Sequence, residues 1–424
     1  MELINQPFNG QLGNRLIELI NSQNYHTLNI AIAIAIAFAK NSGVLRMKEA
    51  IEKFRERGGK VNVYVGIDMK VTTYEALTNL LSCTDSLNIV HIEKGQTFHS
   101  KIYQLIGKSR NIFIIGSNNL TGGGLWTNFE SAIVLTTDSP ESDEIYLLNC
   151  MNQYFKELAS LENSFMTIKS QNEIDLLLQH GYIQKEVEEK INQRLIAKTK
   201  RDSKQGKLFS GGYKANLPKL QRVEKHVIST HDYLSIEPTG VEAAETIVVN
   251  LSDIDKTIWF ETRKMTGGSR NILDLSKTSL VEKGNYHNTT FDFGDPTAMR
   301  GAVTFFDLDP SDVSQKKDIV INFDGVDYHG NTILYPRGKH ANGTWRLQIK
   351  GVNSLVGKIT ESFRAKSNNE ENYLVNKVIA FTKIESDYYF MSVFPDSSLE
   401  DFKESSYIVA RNGSSKNSKY MGIF

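Results

Sequence analysis

The 424-residue sequence predicts an α/β domain followed by a mostly β domain. Strand and helix patterns alternate over the first 95 residues, and short apolar or aromatic runs broken by Gly, Asn, Asp and Pro fill the chain from about residue 245. A basic, glycine-bearing stretch lies between the two textures. At 40% hydrophobic content a chain of this length buries a sizeable core and accommodates two or three domains. Lys plus Arg and Asp plus Glu number 49 each, so only local clustering of charge can point to a polyanionic partner.

The elements follow in order. In "LNIAIAIAIAFA" (28–39) large Ile alternates with small Ala, which predicts a central strand buried on both faces; the run is too short to cross a bilayer as a helix. "NSGVLRMKEAIEKFRERGG" places Val44, Leu45, Met47, Ala50, Ile51 and Phe54 at helical spacing and ends at Gly58-Gly59. "KVNVYVGID" returns to a strand, "TTYEALTNLLS" is a helix opened by threonines, and "LNIVHIE" is another strand. "HSKIYQLIG", a turn at "KSRN", "IFIIGSNNL", the turn "TGGG" and the strand "ESAIVLTT" come next, and the helix "SDEIYLLNCMNQYFKELASL" closes the domain near residue 165. Residues 166–219 read as a helical and basic linker, with nine Lys or Arg against two acids between 198 and 225. Residues 220–424 form the second domain. Its tryptophans, Trp259 and Trp345, are expected in the core rather than as stacking platforms.

Cys83 and Cys150 lie in unrelated contexts with no metal-ligand or disulfide spacing, and are expected to be buried thiols. "MELINQPFNGQLGNRLIELI" has an acid at position 2 and no apolar run of signal-peptide length, so a cytoplasmic protein is expected.

The chemistry concentrates between residues 99 and 130. His99 and Lys101, two apart at the start of a strand, share a face because side-chain direction repeats every second residue. Ser117 and Asn119 share a face just past an apolar strand, and Glu130 follows eleven residues later. Together these types suit attack on a phosphodiester. An imidazole attacks phosphorus, a carboxylate fixes its tautomer, Lys and amide donors neutralise charge on the nonbridging oxygens, and a second imidazole protonates the leaving oxygen. That scheme calls for no metal and no cofactor.

His99-x-Lys101, Gly116-Ser117-x-Asn119 and Glu130 resemble the HxK…GSxN…E signature of the phospholipase D superfamily, over about residues 1–165. Ile106 stands where the family usually has an Asp, a residue that some nuclease members also lack. The resemblance implies an active site built from two HxK motifs. Only His99, among nine histidines, is followed two positions later by Lys, so it also implies a homodimer with one shared site, one His99 acting as nucleophile and the other as general acid.

Residues 322–351, "NFDGVDYHGNTILYPRGKHANGTWRLQIKG", look like the second half of a DNA-binding pseudobarrel of the plant B3 type. The whole layout resembles the phospholipase D-type restriction endonucleases of the NgoFVII/BfiI group, which implies double-stranded DNA as partner and, for some members, a helicase-like ATPase subunit. In that fold two arms grip the major groove. The first would carry Arg263, Lys264, Ser269, Arg270 and Asn271, the second Arg337, Lys339, His340, Asn342 and Arg346. The alternatives are a phospholipase or phosphatidyl transferase, and a DNA-binding subunit whose weak catalysis depends on the helicase-like partner.

Overall fold

A computed structural model describes residues 1–22, 29–107, 110–137, 142–201, 215–218, 220, 257–263, 265, 270–337, 343–367 and 373–424. Most of the basic connector and the expected strand at 246–252 lie outside these residues. The chain divides into two compact units, residues 1–190 with 198–222, and residues 191–197 with 223–424.

The first unit is built on an eight-stranded mixed sheet. Its strands are β1 (Glu2–Gln6), β2 (Asn29–Ile36), β3 (Lys60–Gly66), β4 (Ser86–Val90), β5 (Lys101–Gly107), β6 (Asn111–Gly116), β7 (Glu130–Thr137) and β8 (Phe165–Ile168), in the order β1-β7-β6-β5-β2-β3-β4-β8. β2, β3 and β4 run parallel and the remaining pairs are antiparallel. The Ile/Ala alternation of β2 is resolved as expected. Ile34 and Ile36 enter the core shared with helices α1 (Leu12–Asn21), α2 (Asn41–Glu56) and α3 (Tyr74–Cys83). Ala35 faces the opposite core, made with Met151, Phe155 and Leu158 of α4 (Ser142–Ala159). A central strand with a small residue on one side lets α4 approach closely. Thr73 caps α3 by accepting the Ala76 N–H at 3.3 Å, in keeping with the threonine signal.

Three features differ from the sequence reading. β1 and α1 were not foreseen, because "ELINQ" buries only Ile4 and Gln6 and carries little apolar pattern. The unit runs past residue 165: β8 pairs with β4, and α5 (Gln171–Gln179) contributes buried Ile174 to the α2/α3 core. Of the two cysteines only Cys83 is buried, and burial raises its thiol pKa to about 12; Cys150 is exposed on α4, whose outer face is open to solvent.

The first turn of α6 (Glu186–Arg201) is tied to this unit by carboxylates. Glu186 Oε1 accepts the Asn41 N–H at 2.8 Å, and Glu75 Oε2 accepts the Glu186 N–H at 3.0 Å. Burial, then the charge of Glu186, pushes Glu75 up to about 8; burial also raises Glu186.

The second unit carries an eleven-stranded sheet: β9 (Thr257–Thr262), β10 (Ile272–Leu275), β11 (Thr278–Lys283), β12 (Ala298–Arg300), β13 (Lys316–Phe323), β14 (Val326–Leu334), β15 (Trp345–Gln348), β16 (Lys377–Glu385), β17 (Tyr388–Pro395), β18 (Ile408–Arg411) and β19 (Tyr420–Ile423). The order is β10-β15-β14-β13-β17-β16-β9-β19-β18-β11-β12, antiparallel except for the parallel pair β13 and β17. Among the described residues no ladder joins β10 to β12, so the sheet is open. Trp259 and Trp345 are both fully buried, as expected. Trp259 donates from Nε1 to Ser406 Oγ at 2.8 Å and meets the Phe402 ring edge-on at 5.6 Å. Among the described residues no helix is long and apolar enough to cross a membrane.

Trp259→Ala should cost about 3–5 kcal/mol of stability by leaving a cavity, read as a lower denaturant midpoint. Glu75 has a raised folded-state pKa, so its contribution is full below the ordinary value of 4.5 and is lost as pH rises toward about 8. Glu75→Gln should therefore flatten the decline of the urea midpoint across that window.

Candidate active site

The register of three neighbouring strands assembles the site. Ile102 of β5 pairs with Ile115 of β6, and Gly116 of β6 pairs with Ala132 of β7. The start of β5, the end of β6 and the start of β7 therefore lie at one end of the sheet, with Lys101 opening β5, Ser117 directly after β6 and Glu130 opening β7. Gly116 makes this approach possible. A Cβ there would stand 2.4 Å from the Ser131 carbonyl oxygen and 2.7 Å from Ala132 Cα, and backbone cannot yield as a side chain can.

β5 begins at Lys101, so His99 precedes the strand instead of opening it. The two side chains still meet: Lys101 Nζ lies 2.8 Å from His99 Nδ1 and donates to the His99 carbonyl at 2.9 Å. The His99 ring is exposed and stands edge-on to Phe38 at 5.9 Å, whereas Lys101 is only 8% exposed. Burial lowers the Lys101 pKa and the charge of Glu130 partly opposes the shift.

Ser117 donates its hydroxyl to Glu130 Oε2 and accepts the Ser131 N–H at 3.1 Å. Asn119 Oδ1 accepts the Phe38 N–H at 3.2 Å, which commits its carbonyl oxygen and leaves its NH2 as a donor. Two residues missed in the sequence complete the setting. Asn128 donates to Glu130 Oε1 at 3.3 Å. Gln6, paired in register with Glu130, donates from buried Nε2 to the carbonyls of Gly123, Gly124 and Asn128 at 3.1–3.2 Å and fixes the wide turn Gly123–Thr127 that delivers the chain to β7. A single polar residue in a short N-terminal strand gave no signal of that role.

The contact between Lys101 and His99 has a chemical consequence. An ammonium donates only, so a neutral ring facing it accepts through Nδ1 and carries its proton on Nε2. That tautomer makes Nε2 a hydrogen-bond donor. Attack through Nε2 requires Nδ1 to donate instead, and hence a ring that has left the ammonium.

The sequence-predicted DNA contacts lie in the second unit. Lys264, Ser269, Lys339, His340 and Asn342 fall outside the described residues. Arg263 is exposed and pairs with Glu261 at 2.6 Å. Arg270 donates to the Met265 carbonyl at 2.5 Å and Asn271 to the Ile349 carbonyl at 2.7 Å. Arg337 is exposed and donates to the Val313 carbonyl at 3.4 Å; Arg346 faces Asp274 at 3.6 Å. The segments lead into β10 and β15, which pair antiparallel with Leu275 opposite Trp345. They therefore join that pair at opposite ends, separated by about 10 Å of strand.

No protein-family model matches the sequence, and no curated protein matches it. Solved structures similar to the chain include the phospholipase D family member Nuc from Salmonella typhimurium, at 15% identity and TM-score 0.30, over 40% of this chain and 97% of Nuc. NucT from Helicobacter pylori is similar at 20% identity and TM-score 0.28, over 38% and 95%. Phosphatidylserine synthase from Haemophilus influenzae is similar at 14% identity and TM-score 0.28, over 42% and 43%. At these values the functional reading rests on the geometry of the site itself.

Because the charge of Glu130 opposes the fall in the Lys101 pKa, Glu130→Gln should lower that pKa further, read from an NMR titration of the Lys101 side chain.

Proposed function

We propose that the chain is a phosphodiesterase of the phospholipase D type that cleaves double-stranded DNA at specific sites, as a restriction endonuclease does. The observation that carries this reading is the convergence of two polar pairs, His99 with Lys101 and Ser117 with Glu130, on one end of three adjacent strands. An exposed imidazole meets phosphate from solvent, while a buried ammonium supplies fixed positive charge where charge develops on the nonbridging oxygens. Asn119 adds a neutral donor. In this reading hydrolysis runs without a metal: one His99 attacks phosphorus and displaces the leaving oxygen, a second protonates that oxygen, and water then opens the phosphohistidine.

The second His99 comes from a second copy of the chain. The sheet face that leads to Ser117 supports this, because it exposes Leu3, Ile133 and Ile115, which lie side by side on β1, β7 and β6. Phe8 and Phe129, 69% and 64% exposed, pack on each other at 5.4 Å beside Glu130. Contiguous apolar surface next to a polar site fits an interface that brings two sites together.

The second unit is read as a B3-like pseudobarrel that delivers the site to its sequence. In this reading Arg263 and Arg337, the exposed arginines among the described arm residues, would meet the DNA backbone.

Purified protein incubated with plasmid DNA in EDTA should yield discrete fragments whose sequenced ends share one motif, and His99→Ala should slow cleavage on the order of 10³-fold or more. Metal-dependent cutting that survives His99→Ala would overturn the reading. Ile133→Glu should shift the protein from dimer to monomer in sedimentation and abolish cleavage with the far-UV spectrum unchanged.

A further inference from the structure

The chain between β4 and β5 leaves the sheet as an exposed excursion, residues 93–97, and returns at Phe98 to present His99. One buried carboxylate ties both ends of it. Asp68, 7% exposed, accepts the Phe98 N–H through Oδ2 at 2.9 Å, and its Oδ1 lies 2.6 Å from His91 Nδ1. Asp68 itself is held in a short turn, Asp68–Lys70, in which Met69 and Lys70 both take left-handed backbone angles, φ 58° and 57°. Beneath it Gly66 lets β3 approach: a Cβ there would stand 2.7 Å from the Ala37 carbonyl oxygen and 3.2 Å from that of Phe98. The far side of His99 is pinned as well, since Ala37 donates its N–H to the Ser100 carbonyl at 2.8 Å. The Phe98 side chain is buried with Ala35, Val90 and Phe113.

The geometry points to Asp68 as a positioning residue for His99. Resting on the phosphodiesterase reading, the assignment gives Asp68 no contact with substrate: its bond to the Phe98 N–H fixes the backbone from which the imidazole reaches Lys101 Nζ. The His91 ring, edge-on to Tyr182 at 5.3 Å with Glu93 Oε2 3.9 Å from Nε2, secures the other end of the excursion and is secondary. A short hydrogen bond to a carboxylate is stronger than a neutral one, which suits a tether at a site that small displacements would spoil.

Two readouts test this, one independent of any nuclease activity. The first is the carbethoxylation rate of His99 by diethyl pyrocarbonate, read by peptide mass spectrometry; the second is kcat and KM on cleaved DNA. Asp68→Ala should raise the His99 modification rate about three-fold or more, because the ring leaves the ammonium, and lower kcat about 10²-fold with KM within about two-fold. Asp68→Asn keeps an oxygen acceptor for the Phe98 N–H and should stay within about ten-fold of wild type in kcat; His91→Ala should stay closer still. If Asp68→Ala does not fold, Asp68→Glu replaces it, since the added methylene moves the carboxylate out of register with Phe98 while keeping the charge, and the same losses are expected. Wild-type values in both readouts for a folded Asp68→Ala or Asp68→Glu would overturn the proposal, as would an equal loss in His91→Ala. A wild-type protein that cuts no DNA would sink the nuclease reading alone, because the modification rates would still decide the role of Asp68.

Discussion

The site depends on how closely β6 and β7 approach at Gly116. That contact sets where β7 starts, and the start of β7 sets Glu130, which receives the Ser117 hydroxyl and acts electrostatically on Lys101. A side chain at position 116 would push against the Ser131 carbonyl, a group that accepts the Ser117 N–H at 3.0 Å. Displacing it would move the carboxylate relative to the ammonium. The glycine of the "GSNN" stretch is therefore a packing requirement, and the serine and asparagine after it inherit their positions from that packing.

Burial is distributed unequally over the polar residues, and the inequality makes chemical sense. Lys101 is enclosed beside Phe38, so its charge is weakly screened by solvent and acts at full strength on a group held close to it. His99 and Ser117 face outward, where a phosphate backbone can approach. A buried cation is costly unless it has partners, and here the partners are the His99 carbonyl and ring nitrogen with a carboxylate nearby. Glu130 opposes the effect of burial on the ammonium without forming a direct ion pair with it, which leaves positive charge there free to act on an incoming anion.

The parts of this design that were legible in the sequence are those that repeat along the chain. The Ile/Ala alternation of β2 named a strand covered on both faces, and Ile34 and Ala35 do enter different cores. The spacing of His99 and Lys101, with Ser117, Asn119 and Glu130 after them, pointed to one cluster, and the strand register brings Lys101, Ser117 and Glu130 to one sheet end. Residues that act through a single long-range bond were not legible. Gln6 reaches across more than a hundred positions to the turn before Glu130, and Asp68 reaches thirty to Phe98. Only the position of Asp68, an acid just beyond the C-terminal end of a parallel strand, carried a usable hint, since such ends gather functional groups in α/β sheets. In the second unit, Arg270 and Asn271 read as groove contacts because they flank glycines, yet both donate to backbone carbonyls of their own unit. Sequence shows which residues are polar; it does not show which donors the loop needs for itself.

The proton position on His99 links this geometry to symmetry. A neutral ring that accepts from Lys101 holds its proton on Nε2, so a single copy in this state presents a hydrogen-bond donor and no nucleophile. In the proposed dimer, two identical copies would start with two such donors. One phosphodiester bound between them would break the equivalence, because an anion would draw the ammonium of each copy toward its oxygens and loosen the hold on both rings. On that proposal, a ring whose proton moves to Nδ1 and finds an acceptor there would bare Nε2 for attack, and the other ring, once protonated, would supply the proton for the leaving oxygen. The asymmetry of the proposed reaction would then come from the substrate, and paired sites would need no difference in sequence to divide the two roles.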